Sequence, residues 1–181
     1  MTALRLHDYG PSANCYKVRL LLAQLGLEYE RVPVDIFAGD TLTDEFAALN
    51  PARTTPVLEL DDGRALPESA AILWFLAEGT AFLPDARFER AQVLRWLCFE
   101  RALTPAVAGA RFQVMTGRTD DETPFLLAKG REVLATLDRR LERRDWVAVD
   151  TPTIADIALF GYTHVAHDAG FDLAAHPAIE A

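Results

Sequence analysis

Two periodicities divide this chain. Up to about residue 79, short apolar runs that alternate in and out are separated by stretches with helical spacing. Leu4 to Asp8 reads as a strand, and Tyr16 to Leu25 as a helix ending at Gly26. Tyr29 to Val34 is a second strand, followed by loop residues through Gly39. Thr43 or Asp44 caps a short helix through Leu49, which Asn50-Pro51 stops. Val57 to Leu60 and Arg64 to Leu66 flank Asp61-Asp62-Gly63, a hairpin turn with glycine where positive φ is cheap. A compact helix from Ser69 to Glu78 ends at Gly79. The order β-α-β-α-β-β-α predicts a small mixed sheet with helices on its faces.

Beyond Ala81-Phe82-Leu83-Pro84-Asp85 the strand pattern disappears. Arg87 to about Met115 is helical and rich in apolar and aromatic residues, with a bend expected at Pro105. Phe125 to Arg143 places Leu127, Leu134, Leu137 and Leu141 at near-helical intervals, with charges on the other side. Thr153 to Ala166 is a further helix, apolar through its middle and therefore expected to be buried. The chain thus divides into an α/β domain over 1–79, a linker over 80–86 and an all-α domain over 87–181. Loops are short except around Thr116 to Glu122.

Bulk composition narrows the chemistry. With 181 residues, half of them hydrophobic, the chain can bury a sizeable core. No apolar run is long enough to cross a bilayer, and Met1-Thr2-Ala3-Leu4-Arg5 runs into a strand pattern without a signal-peptide layout. Cys15 and Cys98 lie far apart in no disulfide or zinc spacing, which suits a reducing cytoplasm. The net charge of −9 argues against nucleic acid or an anionic membrane as partner. A small anion remains open, because a local cluster can oppose the global field.

The candidate chemistry gathers at three points. Ser12 and Asn14 precede the first helix, where unpaired N–H groups and the positive end of the macrodipole favour an anion. Either residue is an ordinary cap. Together they are more than one helix needs, and a hydroxyl with an amide suits an anionic sulfur. Cys15 is a weaker candidate, and Cys98, inside an apolar helix, reads as core. In Arg53-Thr54-Thr55-Pro56-Val57, the proline is either an edge device or a cis bond that lets Val57 offer its backbone to a peptide-like ligand. At Glu68-Ser69, a cap serine and free helix N–H groups would hold a carboxylate, and Glu68 an ammonium.

Two further features read as structural. Thr153-Ile154-Ala155-Asp156 matches a capping box with Asp in place of Glu, so Thr153 and Asp156 are assigned to the fold rather than to catalysis. His164 and His167 share a helix, but no third ligand is apparent and no metal is expected. His7 is expected to be packed at its strand end.

These motifs, in this order, resemble the cytosolic-type glutathione S-transferase family over essentially the whole chain. The resemblance rests on Ser12-Ala13-Asn14-Cys15-Tyr16-Lys17-Val18-Arg19, Asn50-Pro51 through Thr55-Pro56-Val57-Leu58, Glu68-Ser69-Ala70-Ala71-Ile72 and Thr153-Ile154-Ala155-Asp156. It implies a thioredoxin-like first domain and an all-helical second one, glutathione as co-substrate, cytoplasmic location and a homodimer. Ser12 falls where serine-type members hold the glutathione sulfur, in place of a reducing thioredoxin-like protein's first cysteine. Asn14 is similar to the asparagine of some bacterial members, disulfide-bond reductases among them. The resemblance puts Thr55, Pro56 and Val57 at the cysteinyl moiety, Glu68 and Ser69 at the γ-glutamyl end, and Arg53 toward the glycyl carboxylate.

The implied activity is transfer of glutathione to a small electrophile, a detoxifying conjugation. Glutathione-dependent reduction of a disulfide or peroxide is the alternative, and a non-catalytic binding or scaffold protein is the alternative of another class. A second-substrate pocket is expected between the domains, lined by Tyr9, Trp96, Phe99, Arg111 and Phe112; aromatic residues there are as easily core. Two departures from the family pattern stand out. Ala52-Arg53-Thr54-Thr55 lacks the usual glycine with lysine or glutamine, and Pro177-Ala178-Ile179-Glu180-Ala181 ends where many members continue, which predicts a shortened or absent cover over that pocket.

Overall fold

The computed structural model describes residues 4–118 and 122–180. It separates into two compact units, Met1–Glu78 and Gly79–Ala181. The first runs β1 (Leu4–Asp8), α1 (Ala13–Gln24), β2 (Tyr29–Pro33), a single 3-10 turn (Asp40–Leu42), α2 (Asp44–Leu49), β3 (Val57–Glu59), β4 (Ala65–Pro67) and α3 (Ser69–Ala77). Its four strands lie in the order β2-β1-β3-β4. The crossover through α1 makes β1 and β2 parallel, from Leu4↔Tyr29 to Asp8↔Pro33, as a strand–helix–strand unit requires. β3 runs antiparallel to β1 and to β4. The β3–β4 connection closes with Leu60 N–H on Arg64 O, and Gly63 takes φ 82°, where a side chain would be strained.

Leu6 and Leu58 on the sheet, Val18, Leu21 and Leu22 on α1, and Ile72 and Leu73 on α3 are all fully buried. Thr43 caps α2 by accepting from Phe46 N–H at 3.2 Å. α1 begins at Ala13, three residues before the apolar period starts, because Ser12 caps it. The β1–α1 turn is locked from below. Asp8, whose side chain is wholly buried, accepts from both the Arg19 and Arg31 guanidinium groups. Arg19 also donates to Gly10 O at 3.0 Å. His7 packs at its strand end, 3.0 Å from Glu59 Oε2 and edge-on to Phe46.

The second unit is helical: α4 (Arg87–Leu103), α5 (Gly109–Thr116), α6 (Thr123–Leu141), α7 (Ile154–Thr163) and α8 (Pro177–Glu180), with short 3-10 turns after α7. Residues 119–121 of the long loop expected here lie outside the described residues. The bend expected at Pro105 is a widened turn of π type, Thr104–Ala108, between α4 and α5. That widening accommodates a ring with no N–H to give the preceding turn. The 80–86 segment is fastened into this unit: Leu83 is buried, and Phe82 O accepts from Ile154 N–H at 3.0 Å.

One core assignment is corrected. Cys98 is exposed: the inward stripe of α4 is Val93, Trp96, Leu97, Glu100 and Leu103, and Cys98 falls outside it. On α6, Gly130 faces the buried Phe171 ring so closely that a Cβ there would collide with it.

Thr153 and Asp156 form the capping box at the start of α7. Asp156 Oδ2 accepts from Thr153 N–H at 2.8 Å and from its hydroxyl at 2.9 Å, and Oδ1 accepts from Val147 N–H at 2.8 Å.

Candidate functional site

In the first unit three segments meet: the β1–α1 turn, the loop before β3 and the β4–α3 junction. Ser12 accepts from Cys15 N–H at 3.3 Å and donates its own N–H to Tyr9 O at 2.9 Å. Among the described residues the N–H groups of Ala13 and Asn14 have no partner, so the first turn of α1 keeps donors in reserve. Asn14 Oδ1 accepts from Lys17 Nζ at 2.8 Å and from the Ser69 hydroxyl at 3.3 Å. The second of these joins the starts of α1 and α3.

Ser69 is the first residue of α3 rather than its cap. The capping position is Glu68, exposed, at φ 73° and without a side-chain cap bond. A non-glycine residue held there costs about 1–3 kcal/mol, a strain that is concentrated at functional sites. α3 therefore also begins with its end uncapped.

Cys15 lies fully buried beneath this surface. Burial pushes its thiol above the ordinary value of 9.0, and hydrogen bonds with the Ser12 and Thr55 side chains pull the other way without prevailing. It lies as a floor beneath the candidate site, where burial favours the neutral thiol. Its contacts bring Ser12 and Thr55 together.

The Thr55–Pro56 peptide is cis. Val57 is paired with His7 on one side and Pro67 on the other, and is completely buried, because β3 is an inner strand. Thr55, just outside the strand, is half-buried. Arg53, at φ 54°, is engaged elsewhere: its guanidinium donates to Thr43 O at 3.0 Å and Thr41 O at 3.4 Å, with Asp44 at 3.7 Å. It braces α2.

Of the aromatic set expected to line a pocket, Tyr9 in the first unit is half-buried with its ring against Phe37 at 6.1 Å. In the second unit Trp96 is corrected to core. It is 3% exposed, with Phe99 edge-on at 5.0 Å and the Arg95 and Arg140 guanidiniums over its ring at 5.1 and 5.6 Å. The inward stripe of α4 takes it. Arg111 pairs with Asp168 at 3.0 Å, and Phe112 is exposed. His164 Nδ1 lies 2.7 Å from Phe160 O, and His167 is 3.1 Å from Asp168. Among the described residues no three His, Cys, Asp or Glu side chains gather as a metal site.

The sequence reading missed Lys17 as a site residue. A lysine among apolar neighbours reads as a solvated position, yet it is 1% exposed. Its i,i+3 spacing from Asn14 was the one available signal.

A hydroxyl, an amide and unsatisfied N–H groups at one helix start can bind an anionic sulfur. Residues 11–78 match the family model described as the glutathione S-transferase N-terminal domain, and residues 103–181 match that of the C-terminal domain. The chain belongs to the glutathione S-transferase family. Among relatives, a maleylacetoacetate isomerase of Rhizobium meliloti is 35% identical, over 97% of this chain and 87% of that one. A glutathione S-transferase structure from Pseudomonas fluorescens superposes with a TM-score of 0.95 at 43% identity, covering 98% of this chain and 91% of that one. A glutathione transferase from Pseudomonas putida, crystallised with one glutathione disulfide bound per subunit, gives a TM-score of 0.85 at 29% identity, covering 99% and 84%. The thioredoxin-like sheet with a helical second domain is the fold of this family. No helix among the described residues is long and apolar enough to cross a membrane.

Proposed function

We propose that the chain is a glutathione transferase of the serine/asparagine type, in which Ser12 and Asn14 stabilise the glutathione thiolate for attack on an electrophile. The observation that carries this reading is that Ser12 and Asn14 both stand at an open helix start, which the Ser69–Asn14 bond ties to a second one. A free thiol titrates near 8.5, so making thiolate the major form at neutral pH needs a shift of about two units. That is about 2.7 kcal/mol. One hydrogen bond to a charged group is worth about 1.5–3 kcal/mol, so the Ser12 hydroxyl supplies much of it.

The rest of the ligand is assigned by chemistry. Ser69 and the α3 N–H groups take the γ-glutamyl carboxylate, and Glu68 its ammonium. The Thr55 backbone, outside the strand and next to Pro56, pairs with the cysteinyl amide; Val57 supports it from within the sheet. Arg53 reaches the glycyl carboxylate only by releasing Thr41 and Thr43. Residues 1–79 are thus the glutathione-binding domain, 80–86 the connection and 87–181 the helical domain, in a cytoplasmic homodimer.

The test is ultraviolet difference absorbance of bound glutathione against pH, for wild type and Ser12→Ala. A thiolate signal well below the free thiol's range, lost in the variant, supports the reading. Glutathione bound without that signal sinks it.

A second reading is favoured by the glutathione disulfide in the Pseudomonas putida neighbour. Here bound thiolate attacks a disulfide and expels one thiolate. A second glutathione then resolves the mixed disulfide, leaving glutathione disulfide. Because Cys15 is buried and held as a thiol, this cycle uses no protein sulfur, and its rate survives Cys15→Ala. Measuring whether glutathione is conjugated or oxidised separates the two.

A further inference from the structure

Among the described residues, Lys17 is the one fully buried side chain that ends in an ammonium beside the site, with its Nζ 2.8 Å from Asn14 Oδ1. Burying an ammonium is expensive, and a lysine on an exposed face would have kept it in water. We propose that Lys17 is a positioning residue for the thiol chemistry, fixing the Asn14 amide so that its nitrogen, not its oxygen, is offered to the ligand sulfur.

The inference rests on the reading of Ser12 and Asn14 given above, and its own ground is donor geometry. An ammonium can only donate, and the Ser69 hydroxyl gives its hydrogen to the same oxygen at 3.3 Å. Were the amide turned over, its NH2 group would meet the ammonium donor to donor. Oδ1 is therefore held toward Lys17 and Ser69, and Nδ2 is left on the opposite side of the amide group. A charge-assisted bond at the carbonyl end also withdraws electron density, which makes the Nδ2–H groups stronger donors. Arg19, two residues on, plays no part in this, because its guanidinium is committed to Asp8 and to Gly10 O.

The test is a double-mutant cycle on the full chain, read as the pKa of bound glutathione thiol, with thermal unfolding of each variant recorded alongside. Lys17→Met keeps the length and removes the donor. It is expected to raise the bound thiol's pKa by about one unit. Turnover at neutral pH falls correspondingly, by up to about tenfold, and KM for glutathione changes less. Lys17→Gln, a neutral donor, should recover part of the shift. In an Asn14→Ala background Lys17→Met should add nothing further.

Loss of thermal stability with the thiol pKa unmoved, or equal shifts with and without Asn14, overturns the inference. Should Lys17→Met fail to fold, Lys17→Leu takes its place in the same cycle, and an unshifted pKa there overturns the proposal equally. A wild type that binds glutathione without thiolate removes the underlying reading itself. A thiolate lost in Ser12→Ala but untouched in both Lys17 variants removes only this step.

Discussion

The starts of α1 and α7 are built from the same kinds of residue and do opposite things. At α7 the cap is closed by the chain itself. Thr153 accepts from Ala155 N–H at 3.2 Å, and Asp156 takes the Thr153 amide, the Thr153 hydroxyl and the Val147 amide. At α1 the cap bond is a single 3.3 Å contact, and the third helical residue is Cys15 where α7 has an aspartate. A carboxylate at α1 would have closed the end and repelled an anion. One helix start is finished internally; the other keeps N–H donors open, where the proposed reading puts the ligand.

That contrast is easiest to break at α7. Asp156→Ala leaves the Thr153 and Val147 amides without their acceptor, each unsatisfied buried group costing about 1–3 kcal/mol. A loss of about 3 kcal/mol is expected, seen as a large drop in denaturant midpoint, with the thiolate signal per folded molecule unchanged. A matching loss of thiol activation would mean that α7 serves the site as well as the fold.

At α1 the balance reverses. Ser12→Ala should cost about 2 kcal/mol of thiolate stabilisation, or roughly a thirtyfold fall in kcat/KM. The same variant should cost only about 0.5–1 kcal/mol of stability through the weak cap. If folding suffers more than catalysis, Ser12 is an ordinary cap and the comparison collapses.

Much of this was legible in the chain, because local chemistry decides it. The strand and helix periods, the Asp61-Asp62-Gly63 turn and the Thr153–Asp156 box are written in adjacent residues. What was not legible depended on depth and on pairing across the fold. Trp96 and Cys98 are two residues apart on one helix, and only the direction of the neighbouring helices makes the first core and the second exposed. That Val57 is paired on both sides depends on β3 lying between β1 and β4, which adjacent residues do not show. Ser69 lost its role as a cap to Glu68, whose positive φ no pattern of residue types announces. Lys17 was overlooked because its value lies in what it holds, the oxygen of Asn14, and not in its own exposure.

The comparison can be sharpened by giving α1 the chemistry of α7. Asn14→Asp places a carboxylate at the second helical position, beside Lys17 Nζ and the Ser69 hydroxyl. The new ion pair and the helix dipole should add about 0.5–1 kcal/mol of stability. The amide donor is lost at the same time, and the bound thiol's pKa should rise by more than about one unit, since like charge now faces it. Stability up and thiolate down is the outcome that a closed helix start requires. A fall in both would show that Lys17 does not accept the exchange of amide for carboxylate.

The smallest effect concerns the floor of the open site. Cys15 has its thiol pushed above 9.0 by burial, so the folded chain holds this proton more tightly than the unfolded chain does. Below pH 9 both states carry the proton and Cys15 leaves stability independent of pH. As pH passes 9 the unfolded chain ionises first, and stability falls until the folded thiol ionises too. Urea unfolding of wild type and Cys15→Ala between about pH 7 and 10.5 isolates this contribution. The variant should be less stable at neutral pH, by about 1 kcal/mol for the lost packing, and the gap should narrow as pH rises. A gap that stays constant would mean that Cys15 ionises as easily in the folded protein as out of it. The site would then gain an anionic floor as pH passes 9, and only there would α1 be closed from beneath.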